Sequence, residues 1–259
     1  MARVHIGALL VLATAATVAL SCDNARPKSA GGGLGNAAFA YMCRIPNAGD
    51  TYCDALSNNQ SFPSVAVGAT FGLSVIPTHF PHTDQSCALV SPAKDRLEIQ
   101  PATGVMFDCG GNFCNWGTPM LAVAHSAGWA AVLADETDGE NYGEDFLNIS
   151  VGAVAGLALT QVTEGASGTL TGSVGPVGAT ATFQDTQVFL RAVPVDSIGN
   201  QLAGSLPTPY GWTTSNAGVV SLVGGASTNI VQIALGSPGT STVTVTMGTT
   251  TTSVVITVS

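Results

Sequence analysis

The chain has 259 residues, room for two ordinary domains, with 46% hydrophobic residues, only 9% charged residues and a formal net charge of −9. Soluble proteins usually carry about 25% charged residues, so the polar surface here must be built from Thr, Ser, Asn, Gln and Gly, which suit strands and turns. The seven cations (Arg3, Arg26, Lys28, Arg44, Lys94, Arg96 and Arg191) are too few and scattered to neutralise a phosphate backbone, which excludes nucleic acid as a partner and a basic patch for anionic lipid.

Residues 1–21 read as an export signal. Arg3 supplies a cationic start, and Ile6 to Leu20 form an apolar run of about 15 residues, short of the roughly 20 that a spanning helix needs. The run ends at Ala19-Leu20-Ser21-Cys22. This ending resembles the lipobox of bacterial lipoproteins at Leu20, Ser21 and Cys22, and departs from it at Ala19, where Leu is commonest. The resemblance implies cleavage before Cys22, diacylation of its sulfur and a membrane anchor through lipid; an ordinary secretory signal is the alternative. The expected location is the bacterial cell envelope, outside the cytoplasm. Residues 22–36 are polar and Gly-rich, as expected of a flexible tether.

Residues 37–61 show no clear period and are expected to be an irregular, disulfide-pinned segment. Cys43 and Cys53 flank a Pro/Asn/Gly/Asp stretch and can close a small loop in an oxidising compartment. Cys109 and Cys114 bracket Gly110-Gly111-Asn112-Phe113, a turn that can bring two thiols together. Cys87 is then left over, and its pairing with Cys109 or Cys114 stays open. No CxxC pair points to a metal.

An internal repeat follows at a spacing of about 110 residues. Val67-Gly68-Ala69-Thr70-Phe71 is matched by Val177-Gly178-Ala179-Thr180-Ala181-Thr182-Phe183, Gly128–Val132 by Gly239–Val243, and Phe146–Val151 by Val254–Val258. Each copy has the size of one β-sandwich, so residues 62–151 and 152–259 are expected to be two tandem domains. Period-2 alternation supports strands: Val243 and Val245 face one way while Thr242, Thr244 and Thr246 face the other. Turn signals separate the runs at Asp196–Asn200, Gly224-Gly225 and Ser237-Pro238-Gly239. The fold class is all-β.

The second copy carries Phe189-Leu190-Arg191-Ala192, Asp196, Gly199-Asn200, Trp212–Asn216, Val220-Ser221-Leu222, Gly239–Val245 and Val255–Val258 in that order. The ordered set over residues 154–259 resembles the group 2 bacterial immunoglobulin-like (Ig-like) domain of intimin- and invasin-type surface proteins. That resemblance implies an Ig-like sandwich with Trp212 as the large buried residue of a mid-sandwich strand, and a structural or adhesive role with a protein or polysaccharide ligand. The first copy is divergent and offers Cys87 where the second has Trp212.

The densest chemistry is the acidic run from Asp135 to Asp145, where Asp135, Asp138, Glu140, Glu144 and Asp145 are candidate calcium ligands. An EF-hand pattern fails at Thr137, and the run falls at a hairpin turn, so a solvated acidic turn is the competing reading. His79, His82 and Asp84 lie in a Pro-containing loop that offers no fixed scaffold for a metal. No nucleophile elbow, His-Glu-x-x-His or phosphate-cradling loop occurs, so the chain is expected not to be an enzyme and to need no cofactor.

Overall fold

The computed structural model describes residues 29–31, 33–34, 36–45, 49–50, 52–53, 62–77, 86–108, 119–137, 142–164, 170–183 and 185–259. All regular elements among them are strands, and none of them is a helix long and apolar enough to cross a membrane. The lipobox with Cys22, the Cys109/Cys114 pair, His79, His82, Asp84, Asp138 and Glu140 lie outside the described residues.

Four sheets make two sandwiches. In the first, one sheet orders β1 (Ser29–Gly31), β2 (Ala37–Ile45), β4 (Thr70–Pro77), β8 (Met120–Ala124) and β6 (Leu97–Pro101), with β7 (Met106–Asp108) pairing the far end of β2. The facing sheet orders β3 (Val65–Ala66), β10 (Tyr142–Gly152), β9 (Gly128–Thr137) and β5 (Ser86–Val90). The second sandwich repeats this wiring except at one edge, where the strand beside the counterpart of β2 follows it in the chain instead of preceding it. One sheet orders β12 (Leu170–Pro176), β11 (Gly156–Glu164), β14 (Gln187–Val195), β17 (Ile230–Leu235) and β16 (Val220–Gly224). The other orders β13 (Thr180–Thr182), β19 (Thr250–Val258), β18 (Gly239–Met247) and β15 (Tyr210–Thr214). Strands pair antiparallel except at β3/β10 and β13/β19, where a short strand joins the last one in parallel.

Each sandwich has its own core. The first gathers Phe39, Tyr41, Phe71, Leu73, Leu97, Val132 and Ile149, with the Tyr41 and Phe71 rings stacked at 5.0 Å. The second gathers Leu190, Trp212, Val231, Ile233, Val243, Val245 and Ile256. Val243 and Val245 are buried and Thr244 is not, as alternation along β18 requires.

Four expectations are corrected. Ala37–Ile45, expected to be irregular, is the strand β2 next to β4. It shows no period 2 because both its faces are covered: Phe39 and Tyr41 enter the core, while Met42 and the Phe107 ring close over Gly72 on the other side. A strand buried on both faces reads as a continuous apolar run. The tether expected over 22–36 is anchored from Ser29 onward, because β1 pairs with β2 and Gly33 donates its N–H to the Phe146 carbonyl at 2.8 Å. Gly33 lies so close to the Phe146 ring that a Cβ there would stand 2.2 Å from it.

The repeat is real but its first match joins unlike pieces. Val67–Phe71 is the turn after β3 and the start of β4, whereas Val177–Phe183 precedes and contains β13. The other two matches are structurally equivalent. Gly128 and Gly239 open β9 and β18 with φ of 133° and 147°, and pair with Val151 and Val258 near the ends of β10 and β19. This register also moves the partner of Trp212. Trp212 lies across from Val245 and Leu89 from Ala134, and Val245 and Ala134 stand equally far from Gly239 and Gly128. Leu89, packed on the first core, therefore takes the place of Trp212, and Cys87 stands two residues away.

Candidate functional site

Strand β9 turns Ala130, Val132 and Ala134 into the core, so Trp129, Ala131, Leu133 and Asp135 point outward from the sheet. Trp129 is 67% exposed and Leu133 41% exposed. Leu133 sits directly between Val90 of β5, 45% exposed, and Phe146 of β10, making an apolar row across three strands. Trp129 lies beside Ser150, and Ala131 beside Asn148. Trp129 and Leu133 are about 13 Å apart along the strand, at about 3.3 Å per residue. The face is thus a flat apolar strip with an indole at one end and short polar side chains beside it.

The second sandwich is an internal control for this face. At the outward positions of its equivalent strand, β18, it carries Thr240, Thr242, Thr244 and Thr246 in place of Trp129, Ala131, Leu133 and Asp135. The row Val90–Leu133–Phe146 corresponds to Thr213–Thr244–Ser253. The fold is therefore satisfied by hydroxyl side chains at these positions, and nothing about the sandwich demands an exposed Trp or Leu there. The start of β9 is held by Arg96, whose Nη1 donates to the Trp129 carbonyl at 2.9 Å.

Trp129 was not singled out in the sequence. The signal was present in the aligned pair Gly128-Trp129 and Gly239-Thr240, where an indole replaces a hydroxyl, but its meaning depends on which way the residue points.

Of the acidic candidates, the three described ones, Asp135, Glu144 and Asp145, do not converge. Asp135 and Glu144 are opposite each other on the outer face of the β9/β10 hairpin. Asp145 points the other way and is 2% exposed. Its carboxylate is already occupied: Oδ1 accepts the N–H groups of Leu34 and Phe146, both at 2.8 Å, and Oδ2 those of Asn36 at 2.8 Å and Ala37 at 2.7 Å. Burial works against its charge, but the four N–H donors outweigh it and hold the carboxyl below its ordinary value. Asp145 thereby fastens the incoming chain to β10 rather than facing the turn. Among the described residues no three His, Cys, Asp or Glu side chains form a group that could hold a metal ion. His125 faces Glu98, with Nε2 to Oε2 at 3.1 Å on the surface.

Cys43 and Cys53 form a disulfide, with Cα atoms 5.4 Å apart. Trp212 is buried, and its Nε1 donates to the Thr228 carbonyl at 2.8 Å.

No family model matches the chain, and no curated protein does. Among solved structures, similarity extends to an endo-fucoidan hydrolase of glycoside hydrolase family 107 at 12% identity, covering 76% of this chain and 27% of that chain, with a TM-score of 0.34. It also extends to domains 5–6 of the S-layer protein SbsC at 16% identity, covering 75% of this chain and 92% of that one, with a TM-score of 0.25. A C-terminal intimin fragment, solved in complex with the intimin-binding domain of the translocated intimin receptor, matches at 16% identity over 75% of this chain and 61% of that one, with a TM-score of 0.25. The chain spans about a quarter of the length of the fucoidan hydrolase and of a Parabacteroides merdae β-glucuronidase it also matches. Likenesses of this size carry no argument about function. The group 2 resemblance therefore rests on the residues of 154–259 themselves.

Proposed function

We propose that this chain is a non-catalytic binding module of the bacterial cell envelope, lipid-anchored at Cys22, whose contact surface is the outer face of β9. The observation that carries the reading is the substitution of Trp129 and Leu133 for Thr240 and Thr244 on otherwise equivalent strands. An exposed apolar strip costs solubility, and in folded proteins such strips mark contact sites. The second sandwich, with a Thr-rich outer face, serves as a spacer. Only residues 23–28 separate Cys22 from β1, so a lipid at Cys22 keeps the first sandwich within about 25 Å of the bilayer, at roughly 3.5 Å per extended residue step. The ligand class is an envelope protein or polysaccharide.

The test uses the mature full-length protein on isolated cell envelopes, with protein-stripped polysaccharide in parallel. The double variant W129T/L133T copies the second sandwich's solution and should fold normally while its retention falls at least tenfold. Undiminished retention would remove the face from consideration. Retention of the wild type by polysaccharide alone would assign the ligand class. Intact mass of the native protein tests the anchor independently: a chain starting at Cys22 with acyl mass added is expected, and an unlipidated chain cut elsewhere defeats it.

A further inference from the structure

The loop closed by Cys43–Cys53 carries Asp50 into the interior, where its side chain is almost fully buried. Its Oδ2 accepts the Tyr41 hydroxyl, and its Oδ1 accepts the N–H of Tyr52 at 3.1 Å and that of Gly204 at 3.1 Å. Gly204 belongs to the other sandwich. It lies on a short arm, residues 201–205, that follows β14 through a turn organised by Asp196, which accepts the N–H groups of Ile198 and Asn200. Leu202 ties the arm to its own sandwich by donating to the Pro194 carbonyl at 2.9 Å.

On its other side the arm is bonded to the first sandwich through isolated bridges, Ala203 parallel to Val65 and Ser205 antiparallel to Thr70. Ala203 donates to Ser64 at 2.8 Å and accepts from Ala66 at 2.9 Å, while Thr70 and Ser205 exchange N–H···O bonds at 2.9 and 2.8 Å. Leu202 is buried with Ala66 and Ala69, and Ala203 enters the first core. The approach is too close for a side chain at position 204: Gly204 has φ +103°, and a Cβ there would stand 2.5 Å from the Ala69 Cβ. Gly49, beside Asp50, lies against the Asn229 side chain of the second sandwich.

We infer that the two sandwiches move as one stiff body, latched by the bond from Gly204 to Asp50. Domains within a chain swing freely when their interface is small and polar. Here a swing must break the backbone bonds of the arm and strip a buried carboxylate of a donor it cannot replace with water. Only Ala153, Val154 and Ala155 separate β10 from β11, and Ala155 is bonded to Val195, so the connection offers little slack. The latch fixes the angle at which the first sandwich presents any surface relative to the second. It holds whether or not the β9 face binds a ligand.

Residual dipolar couplings on the full mature chain test this. Wild-type couplings from both sandwiches should fit a single alignment tensor, and two independent tensors would overturn the inference outright. In Asp50→Ala the common tensor should be lost while each sandwich keeps its own spectrum. A single tensor retained in a folded Asp50→Ala overturns the latch. Should Asp50→Ala fail to fold, Gly204→Ala, whose Cβ would strike Ala69, prises the arm and its bond to Asp50 away together; separate tensors then support the arm as the joint and a common one refutes it.

Discussion

The backbone N–H of Ala37, where β2 begins, donates to Asp145 Oδ2 on β10 at 2.7 Å, joining the two sheets of the first sandwich. Leu34, Asn36 and Phe146 share the same carboxylate, so one side chain collects four donors, three from the chain entering β2 and one from within β10. Asp145→Ala is expected to destabilise the protein by about 2–4 kcal/mol, because buried donors without an acceptor cost about 1–3 kcal/mol each and some regain water. Urea unfolding measures it. The folded-state pKa of Asp145 is depressed, so its stabilisation is present above the ordinary carboxyl value of 3.8 and is lost as pH falls through the lower folded value. Asp145→Asn should therefore flatten the acid limb of the stability curve below pH ~4; an unchanged limb would contradict the assignment.

Tyr41 and Tyr52 define the alkaline limb. Burial first, and then the Asp50 charge, raise Tyr41 well above its ordinary value and Tyr52 to about 12. The raised folded pKa means this stabilisation is complete below pH ~10 and disappears as pH rises through the folded values. Tyrosinate absorbance should show these two of the four tyrosines silent until pH ~12, or until the protein unfolds. Asp50→Asn should bring both titrations down. Early ionisation of Tyr41 in the wild type would mean that its hydroxyl is not held by Asp50.

Strand β9 predicts opposite outcomes at neighbouring positions. Trp129→Thr and Leu133→Thr, on the outer face, should each shift stability by no more than about 0.5 kcal/mol. Val132→Thr, between them but fully buried, should cost about 1–3 kcal/mol by placing a hydroxyl in the core. Equal costs on both faces would mean the register is wrong.

Trp212 and Leu89 hold one position in two copies, and this ranks substitutions. Trp212→Ala should cost about 3–5 kcal/mol from the cavity and the orphaned Thr228 carbonyl. Trp212→Leu, the first sandwich's own residue at this place, should cost less. Denaturant midpoints for the two variants decide the order.

Cys53→Ser opens the loop that carries Asp50. With a sequence separation of 10, chain entropy alone gives about 2–3 kcal/mol of lost stability. The gap between melting under reducing and oxidising conditions should be smaller for the variant than for the wild type.

Strand β18 was legible because one face meets the core and the other meets water, so valine and threonine alternate in the sequence itself. The all-β class followed from composition for the same reason. Strand β2 was not legible, because both its faces are covered and the alternation vanishes. The repeat showed where two copies lay, but Val67–Phe71 was matched to the wrong piece, since short shared words cannot count the residues in a turn. Only pairing registers placed Leu89, and not Cys87, opposite the role of Trp212.

The sequence alone determined that this chain forms strands with hydroxyl-rich surfaces, written in two copies, because side-chain alternation is a local property. Tertiary structure decided which indole faces solvent, which carboxylate is used up by backbone donors, and that Asp50 reaches Gly204, 154 positions away. These depend on contacts between distant segments, and no local pattern of residues encodes the distance at which two such segments meet.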